Sequence, residues 1–149
     1  MIKFWEAITR KIRSFIQFEK PLMILEAIVF LIFAKLVLVV VPFSWLSRYM
    51  GKLVDAPPND KCVKSNEVSL ISEAIVKANR NIPFETACYP QALAAKLLLK
   101  RRNLDSTVFI GVQKDDLGRI SGHAWLKYGE CVVTGKEKHE TFNIIAIYK

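Results

Sequence analysis

The chain has 149 residues, 52% of them hydrophobic, with six glycines and six prolines. That bounds it to one domain, or a small domain with an appendage, and excludes a disordered or low-complexity chain. The formal net charge of +8 suits an acidic partner. Yet the two local groups, Arg10-Lys11-Arg13 and Lys100-Arg101-Arg102, lack the aromatic and glycine pattern of an RNA-binding module, so no nucleic acid is expected.

The first segment, MIKFWEAITRKIRSFIQFEK, spaces Trp5, Ile8, Ile12, Phe15 and Ile16 by threes and fours, one face of a helix. It has too little uninterrupted apolar sequence for a secretory signal peptide, and no small-residue cleavage site follows the later apolar run. From Leu22 to Val41 every residue except Glu26 and Lys35 is apolar, between Pro21, which can open a helix, and Pro42, which should close one. This is the length and composition of a membrane span. Against a span, Lys35 lies well inside the run, where a lysine costs about 2.5–3.5 kcal/mol on insertion scales, and both flanks are basic. The alternative is a helix buried between the first amphipathic helix and the body of the protein.

Residues 43–50 read as a short helix stopped by Gly51, and KLVDAPPNDK reads as a linker because Pro57-Pro58 excludes helix. This divides the chain into a hydrophobic helical N-terminal region, 1–55, and a second domain, 60–149. In NEVSLISEAIVKANRNIP, Val68, Ile71, Ile75 and Ala78 repeat at helical spacing behind a Ser65/Asn66 cap, with Pro83 beyond the end. After a further helix over 86–102 the period becomes alternating. Strands are predicted at 106–112, 119–128, 131–134 and 142–148, with a DDLG turn at 115–118 that explains Asp115 and Asp116. Helices followed by an antiparallel sheet are the α+β pattern.

Three cysteines, Cys62, Cys88 and Cys131, cannot all pair within one chain, and none stands in CxxC spacing. That favours a reducing compartment and, with only His123 and His139 besides, argues against a metal site. Pro90 is tolerated only in a first helical turn, so its helix begins no earlier than about Ala87 and Cys88 falls at the N-terminus. The exposed amides there favour an anion, hence a thiolate. Position alone leaves two readings open, a nucleophile or a small hydrophobe in the first turn.

His123 lies in a strand, in GHAW, on the same face as Trp125. A strand histidine facing a cysteine at a helix N-terminus can form a thiolate–imidazolium pair, with Trp125 shielding it from water. Alternatively it is a half-buried structural histidine. Gln91, three residues after Cys88, faces the same side and could assist at an oxyanion, while His139 falls in a polar loop and should face solvent. No GxGxxG, P-loop or GxSxG motif occurs.

The order of PFETACYPQALAAKLLLKRRNLDSTVFIGV, then GHAWLKYGECVVTG, then FNIIAIY resembles the lasso-peptide leader peptidases, stand-alone bacterial proteases of the transglutaminase-like cysteine-protease superfamily. The resemblance runs from about residue 60 to the C-terminus, and the hydrophobic helical N-terminus is similar too. It implies a transglutaminase/papain-like helix and antiparallel sheet, Cys88 as nucleophile and His123 as general base, without a cofactor. It further implies a precursor peptide as substrate, a leader-recognition protein that presents it, and an asparagine-synthetase-like ATP-dependent cyclase acting next.

The family typically adds an aspartate about a dozen residues after the histidine. Here position 135 is glycine and no aspartate follows His123. Glu137 is the nearest acid, Glu140 and Asn143 lie further on, and a backbone carbonyl could orient the imidazole instead. A span with its short N-terminus inside would put Cys88 outside the cell, away from the cyclase. The resemblance therefore implies a cytoplasmic protein whose hydrophobic helix packs on its own body, a partner or the inner membrane surface. Two other functions stay open: another transglutaminase-like thiol acyltransferase or amidase, and a membrane-associated binding module in which Cys88 and His123 are structural.

Overall fold

A computed structural model of the chain describes residues 20–57, 65–84, 86–137 and 139–149. Four helices come first: α1 (Pro21–Val40), α2 (Phe43–Met50), α3 (Asn66–Asn81) and α4 (Cys88–Lys100). Strands β1 (Thr107–Lys114), β2 (Ile120–Tyr128) and β3 (Cys131–Thr134) follow, then a 3₁₀ turn (His139–Thr141) and β4 (Asn143–Tyr148). This is the expected α+β order, with an apolar helix leading and a four-stranded antiparallel sheet in the order β3-β2-β1-β4. The amphipathic stripe from Trp5 to Ile16 and Cys62 lie outside the described residues.

Pro21 opens α1 as the sequence predicts, and the helix ends just before Pro42. Met23, Ile24, Ala27, Leu31 and Ala34 form its buried stripe, at the three- and four-residue spacing of one helical face. This stripe packs on α3 and α4, where Ala74, Ala78, Ala94 and Ala95 are likewise fully buried. Small side chains on all three helices let the backbones approach closely. The opposite side of α1 is apolar too, with Leu22, Val29, Leu36 and Val39 more than half exposed.

Helix α1 thus has the length and composition to cross a membrane, while one of its sides is built into the domain core. Its two charged residues are both engaged with the body of the protein. Glu26 pairs with Arg102 at 2.6 Å and Arg101 at 3.1 Å, and Arg102 also reaches Glu67 on α3 at 3.2 Å. The Lys35 ammonium stands 4.2 Å above the Phe84 ring, a cation–π contact that accounts for a lysine in mid-run.

The sheet offers its two faces to different cores. Val108, Ala124, Leu126 and Val133 join the helices, whereas Phe109, Trp125 and Ile147 form a second cluster on the other side. The start of the predicted linker is used structurally: Lys52 and Lys149 exchange backbone hydrogen bonds at 2.8 and 3.0 Å, and the Val54 amide donates to Ile147 at 2.9 Å. Residues 52–54 therefore lie along β4 and cover part of that edge of the sheet.

If α1 is a core helix, its two sides respond differently to truncation. Leu31→Ala should cost about 2–5 kcal/mol in urea denaturation, as a buried leucine does. Leu36→Ala, on the exposed side, should stay within about 0.5 kcal/mol of the parent. Equal small effects would contradict this packing.

Candidate active site

Helix α4 starts where Pro90 requires, with Ala87 as its extended N-cap residue and Cys88 as the first helical residue. The turn before it is braced by Thr86 and Asn79, which the sequence reading did not single out, and by Gln91, which it did. Thr86, buried, donates its hydroxyl to Asn79 Oδ1, which also accepts the Thr86 amide at 3.3 Å. Gln91 Nε2 donates back to the Thr86 carbonyl at 2.8 Å. Next to Cys88, the Tyr89 hydroxyl contacts Met50 Sδ at 2.8 Å. Burial, with Tyr148 adding to it, holds Tyr89 well above the usual tyrosine range, so it stays neutral.

Cys88 and His123 line one cavity of about 500 Å³, together with Asn79, Gln91, Thr134 and Gly135. Cys88 is half-buried: it touches the helical core as a small hydrophobe would, and it also faces the cavity. No hydrogen bond joins the thiol and the imidazole among the described residues. A larger groove of about 920 Å³ runs beside the start of α1 and includes neither residue.

The decisive contact is made by one nitrogen of the imidazole. His123 Nε2 is 3.0 Å from the carbonyl oxygen of Gly135. A carbonyl can only accept, so Nε2 carries the hydrogen and the neutral ring leaves Nδ1 with its lone pair free. The orienting partner is thus a backbone group at the position where the sequence lacks an aspartate. Glu137 is exposed and lines the same cavity, but the His123 Nε2 bond goes to Gly135.

Gly135 has a reason to be glycine. Its φ is +72°, and a Cβ there would lie 2.6 Å from the Ala124 carbonyl oxygen and 2.8 Å from Trp125 Cβ. An aspartate side chain cannot occupy that position unless the backbone shifts. The chain leaves β3 through this tight approach, and the same turn brings the carbonyl under the imidazole.

Trp125 shares the face of His123, as expected, and is buried. Its ring stacks on Phe109 at 5.6 Å and lies 5.8 Å from His123, while Phe142 approaches His123 at 5.0 Å. Trp125 does not line the cavity; it supports the imidazole from behind. His139 differs from its expected solvent-facing place, being half-buried with its ring 5.9 Å from Trp125 and Nδ1 2.9 Å from the Lys136 carbonyl. Cys131 is disulfide-bonded, which a reducing setting would not predict, and Cys88 is the free cysteine among the described residues. No group of three or more potential metal ligands occurs among the described residues.

Adding one methyl group at Gly135 tests this geometry. Gly135→Ala should lower stability by about 1–3 kcal/mol, the cost of a strained backbone position, and displace the His123 ring, visible as changed imidazole NMR shifts. Unchanged stability and shifts would refute the placement.

Nothing among curated proteins or solved structures matches the chain. A family model does match, over residues 37–146, which include α2, α3, α4, Cys88, His123, Gly135 and most of the sheet. By that match, the chain belongs to the transglutaminase-like superfamily, whose members are generally cysteine-dependent enzymes.

Proposed function

We propose that this chain is a cysteine peptidase that removes the leader from a ribosomally made lasso-peptide precursor. The observation that carries the reading is the shared cavity, in which Cys88 at the helix N-terminus and His123, held through Nε2, are brought together. Family membership supports thiol acyl transfer, and the order of motifs around Cys88 and His123 supports the finer choice of substrate. In this scheme a leader-recognition protein presents the precursor, and an asparagine-synthetase-like cyclase then closes the ring.

The chemistry follows from the tautomer. Nδ1 of His123 accepts the Cys88 thiol proton, and the thiolate attacks the scissile carbonyl carbon. The oxyanion develops against the first amides of α4, including that of Cys88. The imidazolium then protonates the leaving amine, and the C–N bond breaks to give a thioester. Nδ1 next takes a proton from water, whose oxygen attacks the thioester; the C–S bond breaks, the imidazolium returns its proton to the sulfur, and the released carboxylic acid gives its own proton to solvent. Nε2 keeps its proton on the Gly135 carbonyl throughout.

The exposed apolar side of α1 supports an enzyme that rests on a membrane surface through this helix, and the ATP-dependent cyclase of this scheme assigns it to the cytoplasmic side. With its inner stripe in the core, α1 would lie along the interface rather than through it.

Mass spectrometry of a candidate precursor incubated with the protein and its recognition partner tests this reading. Wild type should release the leader. Cys88→Ala and His123→Ala should each lose at least on the order of 10³-fold in rate, while Glu137→Gln keeps most of the activity because the carbonyl orients the ring. An intact precursor, with folded protein and bound partner, would shift the assignment to another acyl acceptor or amide substrate.

A further inference from the structure

We infer that the open edge of β2 beside His123 is the substrate-binding strand, and that an extended peptide docks there by adding one more strand to the sheet. The inference rests on the acyl-transfer reading above and specifies how its substrate is held.

Among the described residues this edge is left uncovered because β3 is short. Strand β3 pairs with β2 only at Leu126, Lys127 and Tyr128, and the chain then turns away at Gly135. The pairing of β2 with β1 continues from Lys127 to Ile120, and Gly135 still approaches Ala124 and Trp125, so, among the described residues, 120–123 have a strand partner on one side only. The other edge of the sheet is treated differently, because residues 52–54 run along β4.

Alternation along β2 shows which backbone groups face the gap. The Arg119 carbonyl accepts from Asp115 in the β1–β2 turn, so odd-numbered residues of β2 direct their amides and carbonyls toward β1. Even-numbered residues direct theirs outward, as the close approach of Gly135 to the Ala124 carbonyl shows. Ile120 and Gly122 therefore present amide and carbonyl to the open edge. Both are exposed, and Gly122 immediately precedes His123.

Gly122 is also a glycine that the fold itself does not require. Its φ is not in the left-handed region, and an added Cβ would meet only the Gly111 carbonyl at 3.9 Å. By contrast, a Cβ at Gly111 on the neighbouring strand would strike Phe142 and Trp125 at 2.9 and 3.0 Å. A glycine inside a strand, with open space beside it, marks the close approach of another backbone. The occupant must be extended, must offer an amide and a carbonyl in register, and must bring a carbonyl carbon toward the Cys88–His123 cavity. A peptide substrate meets all three requirements.

The test uses acetyl-trialanyl chloromethyl ketone, whose chloride is displaced by the Cys88 sulfur to give a thioether. The reagent carries little beyond a peptide backbone. Its saturable labelling of the full-length protein is compared with that of three derivatives, each N-methylated at one alanine. Strand pairing predicts alternation: methylation at the amide facing Gly122 slows labelling by at least about tenfold, the scale of one lost hydrogen-bonded contact, and methylation of its neighbours does not. Gly122→Val, checked for folding by circular dichroism, should weaken saturation by the unmethylated reagent by a similar factor.

The absolute rate of labelling reports on Cys88 and His123, whereas the ratio between reagents reports on the edge. Slow labelling by every reagent with alternation retained would count against the acyl-transfer reading and leave the strand site standing. Equal ratios across the series, or full insensitivity to Gly122→Val, would overturn the strand site. Labelling that slows as protein concentration rises, without alternation, would give the edge to a second copy of the chain and overturn it equally.

Discussion

One hydrogen bond organises the site: the Gly135 carbonyl accepting from His123 Nε2. It fixes which nitrogen of the ring is free, and so decides whether His123 can act as a base toward Cys88. The bond in turn demands that the chain pass within van der Waals reach of the Ala124 carbonyl and Trp125, which only a glycine at positive φ allows. That tight passage ends β3 early, so among the described residues no strand pairs with the neighbouring half of β2 on that side. Tautomer, glycine and open edge are consequences of one turn.

The other half of the site is delivered by the helices. Helix α4 is held between α1 and the sheet by alanine-lined contacts, and Arg102, two residues beyond its end, is tied to Glu26 on α1 and Glu67 on α3. Arg102 and Glu26 are only about one-fifth exposed in their side chains, so this network is worth more as a fixed register than isolated surface pairs would be. At the opposite end, the Asn79–Thr86–Gln91 bonds fix the turn from which Cys88 emerges. A thiol at a helix N-terminus is useful only if that terminus cannot fray.

Much of this was legible in the residues. Pro90 placed the start of α4, Pro21 and Pro42 bracketed α1, and the switch from helical to alternating period marked the sheet. Cys88 and His123 emerged from helix position and strand face. Which group orients the ring was not legible: Glu137, Glu140, Asn143 and a backbone carbonyl all stayed open, and a carbonyl leaves no residue type by which to choose it. Glycine at 135 could be read only as a missing acid, and its role became visible once φ and the distance to Trp125 were known. The Asn79–Thr86 brace was likewise hidden, since neither residue stands in a motif. Nor could hydropathy separate a span from α1, which is apolar on all sides but buries one of them.

The most direct measurement is the tautomer of His123 itself. A long-range ¹⁵N–¹H correlation spectrum of the Cys88→Ala protein, recorded where the imidazole is neutral, distinguishes hydrogen on Nε2 from hydrogen on Nδ1. The Gly135 carbonyl requires the Nε2–H form, with Nδ1 unprotonated. A ring found in the Nδ1–H form would have no lone pair to offer Cys88, and the account of this site would be wrong.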